Sequence, residues 1–408
     1  MSEGLIEQMI RLQRELQGAP HINAPIISTA IPRPVDPFPT SPYADPFVVS
    51  SKLQNALTTA VQNAGSGSGG LMGNVSKMTF TVAELTPAPP FPMGGYHDTE
   101  VDFIASEAKV GVMYAAYELR AMARRFLAAN TFVQNTDFFN LINSIQTPKF
   151  LNAVPLINSA GSLMFGSRDC RKPDYQSLFT TTTNPDGTVA SVDFSTGFTD
   201  PLTQMVVMSD DPSSTTCIHD IGYSYLNGAL SAGGFFGGSS GVWVGSDYSN
   251  GSSNWPTLRV VQSTNDGMAT ITGTSRQMAK MLALIYTNAL VDKGTSSAAD
   301  NGAAGSCAAM ANLVGRAAQE LCCLTSPSIP QSNFVYNKVG YSYLGRIPGQ
   351  GTANSQVSVI KNVVASGRTY LIAWQNLVTP NEPCGLNSDP NVAKVTKVIV
   401  DTITQYEK

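Results

Sequence analysis

The chain has 408 residues, only 13% of them charged, and a formal net charge of −4, where a typical soluble domain carries about 25% charged residues. The acidic balance argues against nucleic acid or an anionic membrane surface as a partner, and no stretch reaches the roughly 18 unbroken apolar residues of a spanning helix. Hydrophobic residues make up 42% of the chain, enough to build a core and to exclude disorder.

Residues 4–17 can form a short amphipathic helix with Leu5, Met9, Ile10 and Leu12 on one side. The run 19–46 is rich in proline, which forbids regular structure, and reads as an arm lying on the parent domain or across a partner subunit. Residues 48–63 read as a helix and 65–70, all Gly and Ser, as a linker. Met78, Phe80 and Val82 alternate with Lys77, Thr79 and Thr81, the pattern of a strand, and 101–104 reads as a second short one. A long helix over 106–129 is apolar nearly all round at its start, which predicts a buried N-terminal end.

Further helical turns fall in 137–160. The Thr-rich stretch 166–200 reads as irregular, with a turn at Asn184-Pro185-Asp186-Gly187. Helices are expected over 201–208, 212–232, 272–293 and 306–323, separated by Gly- and Ser-rich loop from 233 to about 270. Three strand-like runs follow at 333–345, 355–364 and 367–377, the last two joined by a turn that suggests a hairpin, and 390–407 closes the chain as a helix. Strands at both ends with helices between predict an α+β protein: an antiparallel sheet flanked by helices, plus a helical lobe inserted at roughly 107–325, with an extended proline-rich N-terminal arm. The expected division is an arm over 1–47 and one domain over 48–408, with the cleft between sheet and lobe as the default site.

Several chemistries are excluded early. The six cysteines, Cys170, Cys217, Cys307, Cys322, Cys323 and Cys384, form no C-x-x-C pair, so zinc-finger spacing is absent. Three histidines, His21, His97 and His219, argue against a multi-His metal site, and no cofactor is implied. Gly237-Gly238-Ser239-Ser240-Gly241 matches a nucleophile elbow, but that fold needs a His later in the chain, and none follows His219. Gly65, Gly67 and Gly70 match G-x-G-x-x-G without a preceding strand, so the match carries no weight. The N-terminal segment is broken by charges and lacks the apolar centre of a signal peptide, which leads to the expectation of a cytoplasmic protein with reduced thiols.

One constellation survives. Ser106 and Lys109 lie three apart at the start of the buried helix, which puts a hydroxyl and an amine on one face. Free backbone N–H groups at a helix start favour an oxyanion there. A lysine drawn into an apolar helix start has its pKa lowered by desolvation and can take the serine proton. A second S-x-x-K, Ser358 to Lys361, sits in strand-like alternation where residues three apart face opposite sides.

Ser209-Asp210-Asp211 and then Lys338-Val339-Gly340 follow the first pair in chain order. Ser-x-x-Lys, Ser-Asp-Asn and Lys-Thr-Gly, in that order, mark class A β-lactamases and penicillin-binding proteins, and this chain resembles that serine hydrolase superfamily. The resemblance extends to Ile104-Ala105-Ser106 through Tyr114-Ala115-Ala116, to 278–292 and to the strand Arg368–Trp374. It covers roughly residues 75–408, extends less closely to 48–74 and excludes the arm. It implies a β-lactamase/transpeptidase-like fold in which Ser106 is acylated, Lys109 is the general base, Ser209 relays a proton, and Lys338 supplies positive charge. The backbone N–H groups of Ser106 and Tyr341, the residue after Gly340, would then form the oxyanion hole.

Two departures qualify the implied activity. Asp211 stands where the motif has Asn, and a carboxylate near Lys109 favours the ammonium form. Class A β-lactamases also need a Glu after the middle motif to activate the deacylating water. Between Glu118 and Glu320 there is none, leaving Asp247 and Asp266 as the loop carboxylates that could substitute. The expectation is therefore a serine hydrolase or acyltransferase acting on a small ester or amide rather than an efficient β-lactamase. The alternative is a catalytically degenerate binding or scaffold protein on the same fold. The arm is expected to wrap the parent domain or a second copy of the chain, giving a homo-oligomer. Only Asp211, Asp220 and Asp247 are charged between 211 and 257, which reads as a neutral, hydrogen-bonding cleft wall.

Overall fold

The computed structural model describes residues 31–65, 73–159, 161–249, 252–291, 305–320, 328–344, 351–364, 366–380 and 390–408. The expected helix at 4–17, the Gly-Ser linker at 66–70, and Cys322, Cys323 and Cys384 lie outside them. The chain divides into two units, Met1–Arg33 and Pro34–Lys408, and the sheet, the lobe and the candidate site all belong to the second.

The elements run β1 (Phe47–Val49), α1 (Ser51–Ala64), β2 (Thr79–Glu84), β3 (Phe91–Tyr96), α2 (Lys109–Ala129), α3 (Phe138–Phe150), β4 (Phe179–Thr183), β5 (Val189–Phe194), α4 (Thr196–Val207), α5 (Asp211–Ile221), α6 (Tyr223–Ala232), α7 (Ser275–Tyr286), α8 (Ser306–Glu320), β6 (Phe334–Tyr343), β7 (Thr352–Lys361), β8 (Thr369–Thr379) and α9 (Pro390–Glu407). Six strands form the main sheet in the order β1-β3-β2-β8-β7-β6. All neighbours are antiparallel except β1 and β3, which are parallel. The early strands return to the late ones through β2 against β8, where Glu84 pairs with Tyr370.

Period-2 alternation splits this sheet between two cores. Leu371 and Ala373 of β8 face the helical lobe, with Val357 and Val359 of β7. Ile372 and Trp374 face the other way, onto Leu53, Leu57, Val395 and Ile399 of α1 and α9. Val339 of β6 joins that second core, so its neighbours Lys338 and Gly340 look toward the lobe. The centre of the lobe is α2, buried from Lys109 through Ala123, and its Ala-rich sequence combines helix propensity with close packing.

Several local expectations change. Residues 101–104 form no strand: Asp102 makes a single bridge to Gly273. The residues before β2 form one 3-10 turn, Val75–Lys77. Residues 179–194 are a β-hairpin rather than irregular chain, turned at the expected Asn184–Gly187, where Asp186 accepts from the Thr188 N–H at 3.0 Å. Helix α7 is shorter than 272–293 and ends at Tyr286. Ser239 sits at the tip of a two-residue hairpin between Phe236–Gly237 and Ser240–Gly241, a glycine-rich turn and no elbow. Ser358 is buried among Asn337 and Gln356 while Lys361 is exposed, so the second S-x-x-K is no pair.

Residues 34–46 of the proline-rich run pack on the lobe as a strap. The Phe38 ring lies against Phe150 and Tyr225 at 6.2 and 5.2 Å between centroids. Tyr225 Oη donates to the Pro37 carbonyl at 2.9 Å, and the Tyr43 N–H to the Gly233 carbonyl at 3.1 Å. Cys170, Cys217 and Cys307 are buried. Among the described residues no helix is long and apolar enough to cross a membrane.

Candidate functional site

Ser106 sits in a 3-10 turn, Ala105–Ala108, that runs directly into α2. The expected helix start is therefore tighter than an α-turn, and Ser106 does not cap it. Ala105 has φ +47°, a left-handed conformation that costs a non-glycine residue roughly 1 kcal/mol. It is held there from two sides. Tyr248 Oη donates to the Ala105 carbonyl at 2.9 Å, and Ser355 Oγ of β7 donates to the neighbouring Ile104 carbonyl at 3.1 Å.

The turn rests on β6 backbone to backbone. A Cβ added at Gly340 would lie 2.5 Å from the Glu107 nitrogen and would also overlap the Ile104 carbonyl. The third motif thus needs its glycine for close approach, which brings Ser106 and Tyr341 to the same place. Both line a cavity of about 360 Å³, together with Asp211, Asp247, Tyr248 and Arg259. Ser106 is 8% exposed and Tyr341 39%.

Lys109 is fully buried behind this wall. Its ammonium donates to the Ser209 carbonyl at 2.6 Å, to Asp211 Oδ1 at 2.7 Å and toward Ser209 Oγ at 3.4 Å, and it lies 4.4 Å from the centre of the Tyr248 ring. Ser209, like Ala105, is left-handed, at φ +59°, and that twist turns its carbonyl onto the lysine just before α5 begins. Burial pulls the Lys109 pKa below its ordinary value, and the Asp211 charge and hydrogen bond pull it back up without overcoming the burial. No hydrogen bond among the described residues joins Lys109 to Ser106.

Lys338 is 2% exposed and shares the lobe-facing side of β6 with Gly340. Burial drags its pKa well below the usual lysine range and the nearby Lys109 adds to this, while Asp211 and Glu107 oppose it. Ser106, Lys109, Ser209, Asp211, Lys338, Gly340 and Tyr341 therefore occupy one region, with Ser106, Asp211 and Tyr341 on the cavity wall and the two lysines beneath it.

Of the two loop carboxylates, Asp247 lines the cavity and Asp266 does not. Asp247 is already saturated. It accepts from His219 Nε2 at 2.9 Å, from Ser249 N and Oγ at 3.1 and 2.6 Å, and from Ser253 Oγ. Burial raises its pKa, but these bonds outweigh the burial and hold it below the usual range. His219 in turn stacks on Trp255 at 3.8 Å. Tyr248, which touches both Ala105 and Lys109, has no sequence motif; the one aromatic in Ser246–Ser249 was its only signal. Among the described residues no group of three or more His, Cys, Asp or Glu side chains is placed to hold a metal ion.

No protein-family model matches this chain, and no curated protein does. Among solved structures it is similar to the TLA-3 extended-spectrum β-lactamase, at 12% identity over 87% of this chain and 98% of that one, with a TM-score of 0.45. A class A β-lactamase of Bacteroides cellulosilyticus matches at 12% identity over 88% of this chain and 100% of that one, TM-score 0.44. A class A β-lactamase from Mycobacterium abscessus matches at 12% identity over 86% and 99%, TM-score 0.40. At these values the chemistry of the site rests on its own geometry.

Proposed function

We propose that this protein is a Ser-Lys serine hydrolase or acyltransferase in which Ser106 is acylated by a small ester or amide. The observation that carries this reading is the meeting of Ser106, Asp211 and Tyr341 on one cavity, with Lys109 and Lys338 buried beneath it. In the proposed reaction neutral Lys109 takes the Ser106 hydroxyl proton as Oγ attacks the carbonyl carbon. The oxyanion is met by the Ser106 and Tyr341 N–H groups. Ser209 passes the proton from Lys109 to the leaving alcohol or amine as its bond to the acyl carbon breaks, and Lys338 supplies positive charge beside it. A fluorophosphonate or a fluorescent penicillin tests this: labelling of the wild type and none of Ser106→Ala supports it, and equal labelling of both sinks it.

The 2.7 Å Lys109–Asp211 ion pair favours a second reading, a degenerate protein that keeps the fold for binding. In that case wild type forms no adduct with any activated ester by intact mass spectrometry.

A further inference from the structure

The charged side chains on the wall of the Ser106 cavity are Asp211, Asp247 and Arg259. Both carboxylates are already satisfied. Asp211 is paired with Lys109 at 2.7 Å, and Asp247 accepts from His219, Ser249 and Ser253. Arg259 is different: among the described residues it is the one cation on this wall, and it makes no ion pair or hydrogen bond there.

The main chain holds Arg259 in place. Residues 254–260, between α6 and α7, carry no regular structure. Yet Ser253, Trp255, Thr257 and Arg259 line the cavity while Asn254, Pro256 and Leu258 do not, which is the two-residue period of extended chain. The segment is pinned to the core through the residues that turn away. Tyr223 Oη donates to the Pro256 carbonyl at 2.8 Å, and Trp243 Nε1 donates to the Leu258 carbonyl at 3.2 Å. Tyr223, Trp243 and Leu258 are all buried, whereas Arg259 is exposed.

We propose that Arg259 is a specificity-determining residue, and that the acyl group delivered to Ser106 ends in a carboxylate, as in a half-ester or half-amide of a short dicarboxylic acid. A guanidinium is a planar fork that matches a carboxylate with two parallel hydrogen bonds. Thr257, two residues earlier on the same wall, adds a hydroxyl with no hydrogen bond among the described residues. In the scheme above the leaving group departs beside Ser209 and Lys338, neither of which lines the cavity with Arg259, so the arginine meets the acyl portion. The bonds exchanged are those of acylation. The bond from Ser106 Oγ to the acyl carbon forms, the bond to the leaving group breaks, and the serine proton ends on the leaving alcohol or amine. The terminal carboxylate stays ionised throughout.

This inference rests on the proposed function, and two readouts separate their failures. In the first, acylation of Ser106 is followed with mono-p-nitrophenyl glutarate and with p-nitrophenyl pentanoate, a neutral ester of the same chain length. Wild type should favour the anionic ester by about tenfold or more, expressed in KM. The ratio of the two rates should collapse in Arg259→Gln, return in part in Arg259→Lys, and shrink with added salt. Equal rates in wild type, or a preference that survives in Arg259→Gln, overturn the inference, as does a preference that requires the carboxylate on the leaving alcohol instead. In the second, glutarate binding to the resting protein is measured by calorimetry, and Arg259→Gln should weaken it about tenfold. Fluorophosphonate labelling of Ser106 without the anionic preference removes this inference and leaves the hydrolase. Arg259-dependent glutarate binding in a wild type that never acylates leaves the carboxylate site and removes the hydrolase. Failure of both acylation and glutarate binding removes both.

Discussion

The Lys109 ammonium lies 2.7 Å from the Asp211 carboxylate, the lysine fully buried and the aspartate 45% exposed. This pair opposes the burial that lowers the pKa of the proposed base. An opposite charge this close works against the burial by favouring the ammonium. Asp211→Asn should therefore release Lys109 toward the neutral amine. We expect the acid limb of Ser106 labelling to move to lower pH, with faster labelling below that limb. A labelling rate measured from pH 5 to 9 that superposes on the wild type would show that Lys109 is not the base.

Gly340→Ala should separate the nucleophile turn from β6, because the new Cβ meets backbone, which cannot swing away as a side chain can. Overpacking of this kind costs about 1–3 kcal/mol. We expect a lower urea midpoint and loss of Ser106 labelling even in the folded variant. Retained labelling would mean that contact between the turn and Gly340 does not build the oxyanion site.

Asp102 is fully buried, bonded by Thr79 Oγ1 at 3.3 Å and by Thr264 Oγ1. Burial raises its pKa from 3.8 to about 7 in spite of those bonds. A carboxyl that holds its proton more tightly in the folded state stabilises fully below pH 3.8, and this contribution is lost as pH rises toward about 7. Asp102→Asn is neutral throughout. The melting temperature of the variant relative to wild type should climb between pH 4 and 7 and level off above. A difference independent of pH would show that Asp102 is ionised in the fold.

On the cavity wall the carboxylates are Asp211 and Asp247, the first paired with Lys109 and the second saturated by His219, Ser249 and Ser253. Neither is placed to activate water as a free base. A penicillin adduct on Ser106 should accordingly persist, with one equivalent bound and little turnover by intact mass spectrometry. Asp247→Asn should leave its lifetime within about twofold, whereas a much longer-lived adduct in that variant would identify Asp247 as the deacylating base.

The sequence made the site more legible than the scaffold around it. Ser106, Lys109, Ser209, Asp211 and Lys338 could be picked out because they fall in motifs of short fixed spacing, and the late strands because Val, Ile and Tyr alternate over ten residues. The strand Phe91–Tyr96 escaped notice because it holds Pro92, Gly94 and Gly95, residues that ordinarily disfavour strands. It forms because β1 and β2 pair with it on either side. Residues 101–104 failed in the opposite way, with strand-like composition but only Gly273 to bridge. Tyr248 was invisible for a third reason: what it touches lies far along the chain, in Ala105.

The register that pairs Glu84 with Tyr370 also dictates when the molecule can become whole. Chain emerging from a ribosome offers β2 and β3 long before β8 exists, so the sheet stays open on its inner edge until β8 has been made. Closing so distant a pair makes formation slow, and Lys338 cannot reach the nucleophile turn before β6 appears. Shortened chains ending before Thr369 should therefore lack a closed sheet, which makes β8 a checkpoint on whether any cavity exists at all.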